Sequence, residues 1–176
     1  MDQIPLGTDL DRTGLIYRMN AGYRFRFAGS NAQNDGIQAE MDIGYRSRRF
    51  FGDRFSLESG STIDLFGETE HLGAYLQLNY HHREHWIFSL RAMGGGVSDN
   101  KETKPTTTEP NASKNSEDDD DLGENFGFSL MSAYRLDANF ILGARIGYLG
   151  EAFGNGRGDQ GTQHSLTMLA NLAYQF

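Results

Sequence analysis

The chain has 176 residues, enough for one core without need of a second, with no cysteine, a formal net charge of −8 and a mean hydropathy of −0.58. No apolar run approaches the ~18 residues of a membrane-spanning helix, which excludes a helical membrane protein, and the lack of Cys excludes disulfides and thiolate metal centres. The excess charge is acidic, so nucleic-acid binding has no support.

Strand side chains repeat every two residues, and that period runs through most of the chain. A first strand is predicted from Gly14 to Phe27, with Leu15, Tyr17, Met19, Ala21, Tyr23, Phe25 and Phe27 on one face and Arg18, Asn20, Gly22, Arg24 and Arg26 on the other. A polar loop, 28–36, leads to a second strand over 37–48, where Ile37, Met41, Ile43 and Tyr45 oppose Gln38, Glu40, Asp42 and Arg46. After a tight turn at 51–54 the third strand sets Phe55, Leu57, Ile63 and Leu65 against Glu58, Thr62, Asp64 and Glu68. The fourth, from Leu72, sets Leu76, Leu78 and Tyr80 against Tyr75, Gln77 and Asn79, and ends at 81–85. The fifth sets Trp86, Phe88 and Leu90 against Ser89 and Arg91. The sixth sets Phe126, Phe128, Leu130 and Tyr134 against Ser129 and Arg135, and the seventh Phe140, Leu142, Ile146 and Tyr148 against Arg145 and Glu151. In the eighth, Leu166, Met168, Ala170, Leu172, Tyr174 and Phe176 oppose Ser165, Thr167, Asn171 and Gln175.

These eight segments predict an all-β, antiparallel up-and-down barrel occupying residues 1–176. Connections after strands two, four and six are short; those after one, five and seven are longer and polar, and the one after three is intermediate. In an even-stranded barrel connections of one parity share an end, so both termini lie at the short-turn end. Between Asp99 and Glu124 stand nine acidic residues and all three lysines of the chain, −6 of the formal −8. Elsewhere every Lys/Arg position is one of thirteen arginines. Lys suits solvated faces, whereas Arg suits desolvated, bidentate pairs.

Periodicity alone leaves two orientations. A soluble lipocalin-like barrel buries the apolar face; a membrane barrel turns it outward. The absence of Lys from the strands and the glycines on the polar face (Gly22, Gly44, Gly60, Gly73, Gly95, Gly127, Gly143, Gly147) favour a narrow, polar interior. The last strand, with Leu172, Tyr174 and a terminal Phe176, resembles the C-terminal signal of Gram-negative outer-membrane barrels. The whole chain is similar to small eight-stranded outer-membrane proteins of the OmpA transmembrane-domain, OmpX and Ail type, on its alternation, loop parity, Arg/Glu-lined face and Phe176. The resemblance implies a monomeric transmembrane barrel in the outer membrane, with short periplasmic turns and longer extracellular loops. It would serve envelope integrity or adhesion through those loops, with no cofactor and no catalysis. Implied partners are outer-membrane lipids and lipopolysaccharide, the barrel-assembly machinery through the C-terminal strand, and host surface proteins. Residues 1–13 would be a periplasmic segment and 99–124 an extracellular loop. Met1-Asp-Gln-Ile-Pro has no basic, apolar leader, so a mature chain lacking its signal peptide is expected.

In that reading the lumen holds Arg18, Arg24, Arg26, Arg46, Arg91, Arg135 and Arg145 with Glu40, Asp42, Glu58, Asp64, Glu68 and Glu151. Unpaired charges in so small a space cost several kcal/mol each, so a connected, hydrogen-bonded network is expected, leaving the barrel plugged. The alternative is a narrow channel with the same charges as its filter. His81, His82 and His85 beside Glu84 match no strong metal motif and read as a solvated turn. His71 and His164 fall near the outer rim, where a lipid-modifying enzyme would act, but His164 and Ser165 as strand neighbours point to opposite faces. Surface-interaction candidates are Arg157-Gly158-Asp159, which resembles an integrin-read tripeptide, and Asp118, Asp119, Asp120 and Asp121, which could gather divalent cations but lack a calcium-loop spacing.

Overall fold

A computed structural model describes residues 13–29, 36–66, 69–83, 85–99, 122–154 and 160–176. Eight strands make up the fold: β1 (Gly14–Gly29), β2 (Gly36–Arg46), β3 (Phe55–Phe66), β4 (Thr69–His82), β5 (Trp86–Asp99), β6 (Leu122–Arg135), β7 (Phe140–Gly154) and β8 (Gln160–Gln175). Each pairs antiparallel with the next, and β8 returns to β1 with Tyr17 opposite Tyr174 and Asn20 opposite Asn171, which closes the barrel. Closure leaves no unpaired sheet edge, the condition for a sheet to span lipid.

The apolar face is outside. Leu130 is 66 % exposed, whereas its neighbour in the sheet one position from Leu90, Arg91, is 1 % exposed. Leu, Ile, Phe and Met side chains cover the outer wall of every strand, an arrangement that water would not tolerate over such an area and hydrocarbon does. The strands are 11 to 16 residues long, at least the ~9–11 that a tilted transmembrane strand needs. No helix among the described residues is long and apolar enough to cross a membrane. The lipocalin-like orientation is therefore overturned.

Arg46, Phe55, His82, Trp86, Arg135 and Phe140 are strand ends on the side that holds Gly14 and Phe176, here the terminal end; Gly29, Gly36, Phe66, Thr69, Asp99, Leu122, Gly154 and Gln160 are strand ends on the opposite side. Several boundaries depart from the sequence reading: β1 runs past Phe27 to Gly29, and Asp99 and Leu122–Glu124, expected in the 99–124 loop, belong to β5 and β6. β4 begins at Thr69 rather than Leu72, leaving only 67–68 outside the strands. β2 ends at Arg46, but its ladder resumes beyond: Ser47 N–H donates to Leu57 O and Phe50 pairs both ways with Phe55, so the 51–54 turn is tight. Three successive residues there, Phe51, Gly52 and Asp53, have φ between 50° and 66°, left-handed backbone that is strained for Phe. Rings ring both ends: Tyr17, Phe140, Tyr174 and Phe176 at the terminal end, with Trp86 and Tyr134 beside His85, and Phe27, Phe126, Tyr148 and His164 at the other. Aromatic residues concentrate at such levels because one end of the ring is wet and the other apolar.

A charged lumen as the candidate functional site

Alternate residues of all eight strands point into a space too narrow for water to solvate every charge, so the register decides which side chains meet. Two ion groups result. In the first, Glu58 on β3 accepts from Arg18 Nη2 at 2.7 Å, Arg46 Nη2 at 2.9 Å and the Tyr75 hydroxyl at 2.9 Å. Asp42 on β2 receives both guanidinium nitrogens of Arg91, at 2.5 and 3.0 Å, together with Arg18 at 3.2 Å and Asn20 at 3.1 Å. Arg18 thus bridges the two carboxylates. The Arg91 guanidinium lies 3.9 Å from the centroid of the Tyr75 ring, a cation–π contact in a desolvated site. Tyr75 reaches this position because β2 carries Gly44 there: a Cβ would stand 2.2 Å from the Tyr75 hydroxyl. Arg145 binds Glu40, which also accepts from Gln38 at 2.6 Å.

The second group lies nearer the opposite end. Arg24 contacts Asp64 at 3.2 Å and Glu151 at 3.1 Å, and Arg26 reaches Glu151 at 3.5 Å. His71 joins them: its Nε2 is 2.9 Å from Glu151 and 3.4 Å from Asp64, and its Nδ1 meets the Asn125 amide at 2.8 Å. The sequence reading placed His71 near the outer rim beside Glu68 and Glu70; it lies at that end of β4, with its side chain turned inward. A metal is not what these groups hold, since Arg24 already puts its positive charge between Asp64, Glu151 and His71. Among the described residues no cluster is arranged to bind a metal ion. Arg135 is buried near the terminal end.

A third feature was not read from the sequence. Ile16, Ile87, Met131, Ala133, Ile141 and Ala173 point inward at the terminal end and pack together as an apolar cluster. The expectation of a wholly Arg-rich and polar interior is corrected here. Its polar counterpart across the barrel is Ser56, Asn79 and His81, with the His81 Nε2 2.8 Å from the Ser56 hydroxyl. Between the ion groups, a cavity lined by Glu40, Ser129, Arg145, Gly147 and Thr167 measures about 10 Å³, room for about one water.

The remaining candidates separate. His81 points inward, His82 meets Tyr80 at a tilt outside and His85 stacks on Tyr134, so the three share no centre. His164 lies on the outer wall, 2.6 Å from the Tyr148 hydroxyl, while Ser165 is fully buried in the lumen; they are no base and nucleophile pair. Leu172, Tyr174 and Phe176 lie along the outer face of β8 and its end, with Phe176 against Tyr17 and Tyr174. Glu68, Asp118, Asp119, Asp120, Asp121, Arg157, Gly158 and Asp159 lie outside the described residues.

No family model and no curated protein matches the chain. Among solved structures, Neisserial surface protein A (NspA) aligns over 93 % of this chain and 97 % of its own at a TM-score of 0.57 and 14 % identity. A de novo designed transmembrane β-barrel aligns over 100 % of both chains with a TM-score of 0.48 and 14 % identity, and the Yersinia pestis attachment invasion locus protein Ail over 94 % and 99 % with 0.39 and 10 %. With its closed eight-stranded topology and apolar exterior, the chain has the fold of the small outer-membrane β-barrels.

Proposed function

We propose that this protein is an integral barrel of a Gram-negative outer membrane whose lumen is closed to solutes, and that it acts in envelope integrity or adhesion by holding its surface loops on a rigid cylinder. The observation that carries the reading is the interior: two ion groups that cross the barrel stand above an apolar floor at Ile16, Ile87, Met131 and Ile141. An ion entering would have to displace paired charges and then pass an end of the lumen that is apolar along one side. With the terminal end in the periplasm, the acidic segment 99–124 and the tripeptide Arg157-Gly158-Asp159 face outward as interaction surfaces, the former suited to meeting lipopolysaccharide phosphates through divalent cations. The C-terminal strand, through Leu172, Tyr174 and Phe176, would be what the barrel-assembly machinery reads.

Planar-bilayer recording of the refolded chain, with swelling of sugar-loaded liposomes beside it, tests the reading. Silent bilayers and unswollen liposomes are expected. A steady porin-scale current, or swelling with small sugars, would replace it with the channel reading.

A further inference from the structure

On the outer wall, Ser132 and Ala144 face one another across β6 and β7. Small side chains there leave a groove of about 620 Å³, within the ~300–1,000 Å³ range of small-molecule sites. Leu90, Leu130 and Ile146 wall it along its length, and toward the terminal end it is bounded by Phe55 and Tyr80, whose rings pack against each other with centroids 5.3 Å apart. A groove in a lipid-facing wall would fill with any hydrocarbon; what stands at its mouth selects the occupant. Arg54 precedes Phe55, and its carbonyl accepts from the His81 N–H at 2.7 Å, so the β2–β3 and β4–β5 turns lie side by side. Arg54 and Arg83 are both exposed there, and the sequence of the two turns holds four basic residues, Arg48, Arg49, Arg54 and Arg83, with two acidic ones, Asp53 and Glu84. The nearby Asp137 carboxylate is committed to its own turn, accepting from the Asn139 and Phe140 N–H groups at 2.7 and 2.8 Å. The sequence of the other connecting segments has the reverse sign, with Asp35, Glu68 and, against three lysines, the nine acidic residues of 99–124. Phe51, 80 % exposed at the tip of the β2–β3 turn, adds an aromatic side chain beside these cations.

We propose that the groove and the two turns form a phospholipid site: an anionic glycerophospholipid sets its phosphate on Arg54 and Arg83 and lays one acyl chain over Ser132 and Ala144. Guanidinium groups bind phosphate oxygens in bidentate fashion, and the cationic end of the barrel would sit against the leaflet that supplies them. The inference rests on the membrane-spanning reading above.

Trp86, the only tryptophan of the chain, reports on the groove, because its ring stacks on Phe88 at 6.2 Å and Phe88 lines the wall. The full chain is reconstituted into phosphatidylcholine vesicles that contain a small fraction of acyl-brominated phosphatidylglycerol, and compared with the same fraction of acyl-brominated phosphatidylcholine. Trp86 quenching should be stronger with the brominated phosphatidylglycerol. Arg54→Ala/Arg83→Ala should lose about thirtyfold in relative affinity, about 2 kcal/mol for two arginines at a membrane surface, and return quenching to the phosphatidylcholine level. Ala144→Leu, which fills the groove and leaves the charges, should do the same, with heat-dependent gel mobility reporting that each variant folds. Equal quenching by the two brominated lipids overturns the site, as does an undiminished preference in the arginine variant or a detergent-stable dimer that keeps brominated lipid from Trp86. Failure of the membrane reading looks different: neither brominated lipid would quench Trp86 at all.

Discussion

Removing the Glu58 carboxylate is the sharpest perturbation of the lumen. Glu58 is fully buried and accepts from Arg18, Arg46 and Tyr75, so Glu58→Ala leaves two guanidinium groups and a hydroxyl facing an empty site. Breaking a buried pair by deleting one partner costs about 3–5 kcal/mol, because the surviving charge is left uncompensated. Arg18 keeps Asp42 at 3.2 Å and Arg46 keeps the side-chain Oε1 of Gln175 at 3.0 Å, which holds the expected loss to about 4 kcal/mol although two cations lose a carboxylate. Glu58→Gln retains volume and one acceptor oxygen, so its loss should be about half as large, roughly 2 kcal/mol. The assay is urea unfolding of the vesicle-folded protein, followed by Trp86 emission with band-shift gels as a second probe. Adding Arg46→Ala to Glu58→Ala should cost less than the sum of the two by about 1 kcal/mol or more, since the second change removes one stranded charge. Both Glu58 variants falling within about 1 kcal/mol of the parent would refute the reasoning, for that is the worth of a solvated surface pair and would mean a water-filled lumen.

Two further outcomes follow from the same geometry. Gly44→Val drives a side chain into the Tyr75 hydroxyl, 2.2 Å from the ideal Cβ, and should destabilise the barrel by about 1–3 kcal/mol in the urea assay; pairing it with Tyr75→Phe, which deletes the clashing oxygen, should recover part of that. The Asp137 carboxyl, in an exposed turn, is held below the usual carboxylate range by the Phe140 and Asn139 N–H groups. Its contribution is therefore complete above the unfolded pKa of about 3.9 and fades as the pH falls through the lower folded value. Urea midpoints of parent and Asp137→Asn should accordingly differ by a constant amount above about pH 5 and draw together as the pH falls below about 4, and a gap that stays constant there would contradict the turn assignment.

The faces of the strands were legible because a lipid-facing wall and a charged lumen impose opposite polarity on successive residues, and β1 and β8 obey that rule along most of their length. The apolar floor was not legible for the same reason. Around Trp86-Ile87-Phe88 and Phe140-Ile141-Leu142 both faces are apolar, which erases the alternation that would mark Ile87 and Ile141 as inward. His71 shares the parity of Tyr75 and Gln77, so its inward face was legible, but its meeting with Glu151, Asp64 and Asn125 was not, because those partners come from other strands. Periodicity also assigns faces without assigning partners. Arg18 meets Glu58 forty positions away and Arg24 meets Glu151 across 127, pairings that depend on barrel closure and on the register of every intervening strand.

The central claim, an apolar wall in lipid around a filled polar lumen, is tested most directly by a spin-label scan along β8. The chain has no cysteine of its own, so single cysteines at successive positions from Ser165 to Gln175 can each be labelled in the vesicle-folded protein. Labels at Leu166, Met168, Ala170 and Leu172 should collide with oxygen dissolved in the bilayer, while those at Ser165, Thr167 and Asn171 should be shielded from oxygen and from a water-soluble nickel complex alike. Oxygen accessibility that fails to alternate, or nickel accessibility that alternates on the inward positions, would contradict the account.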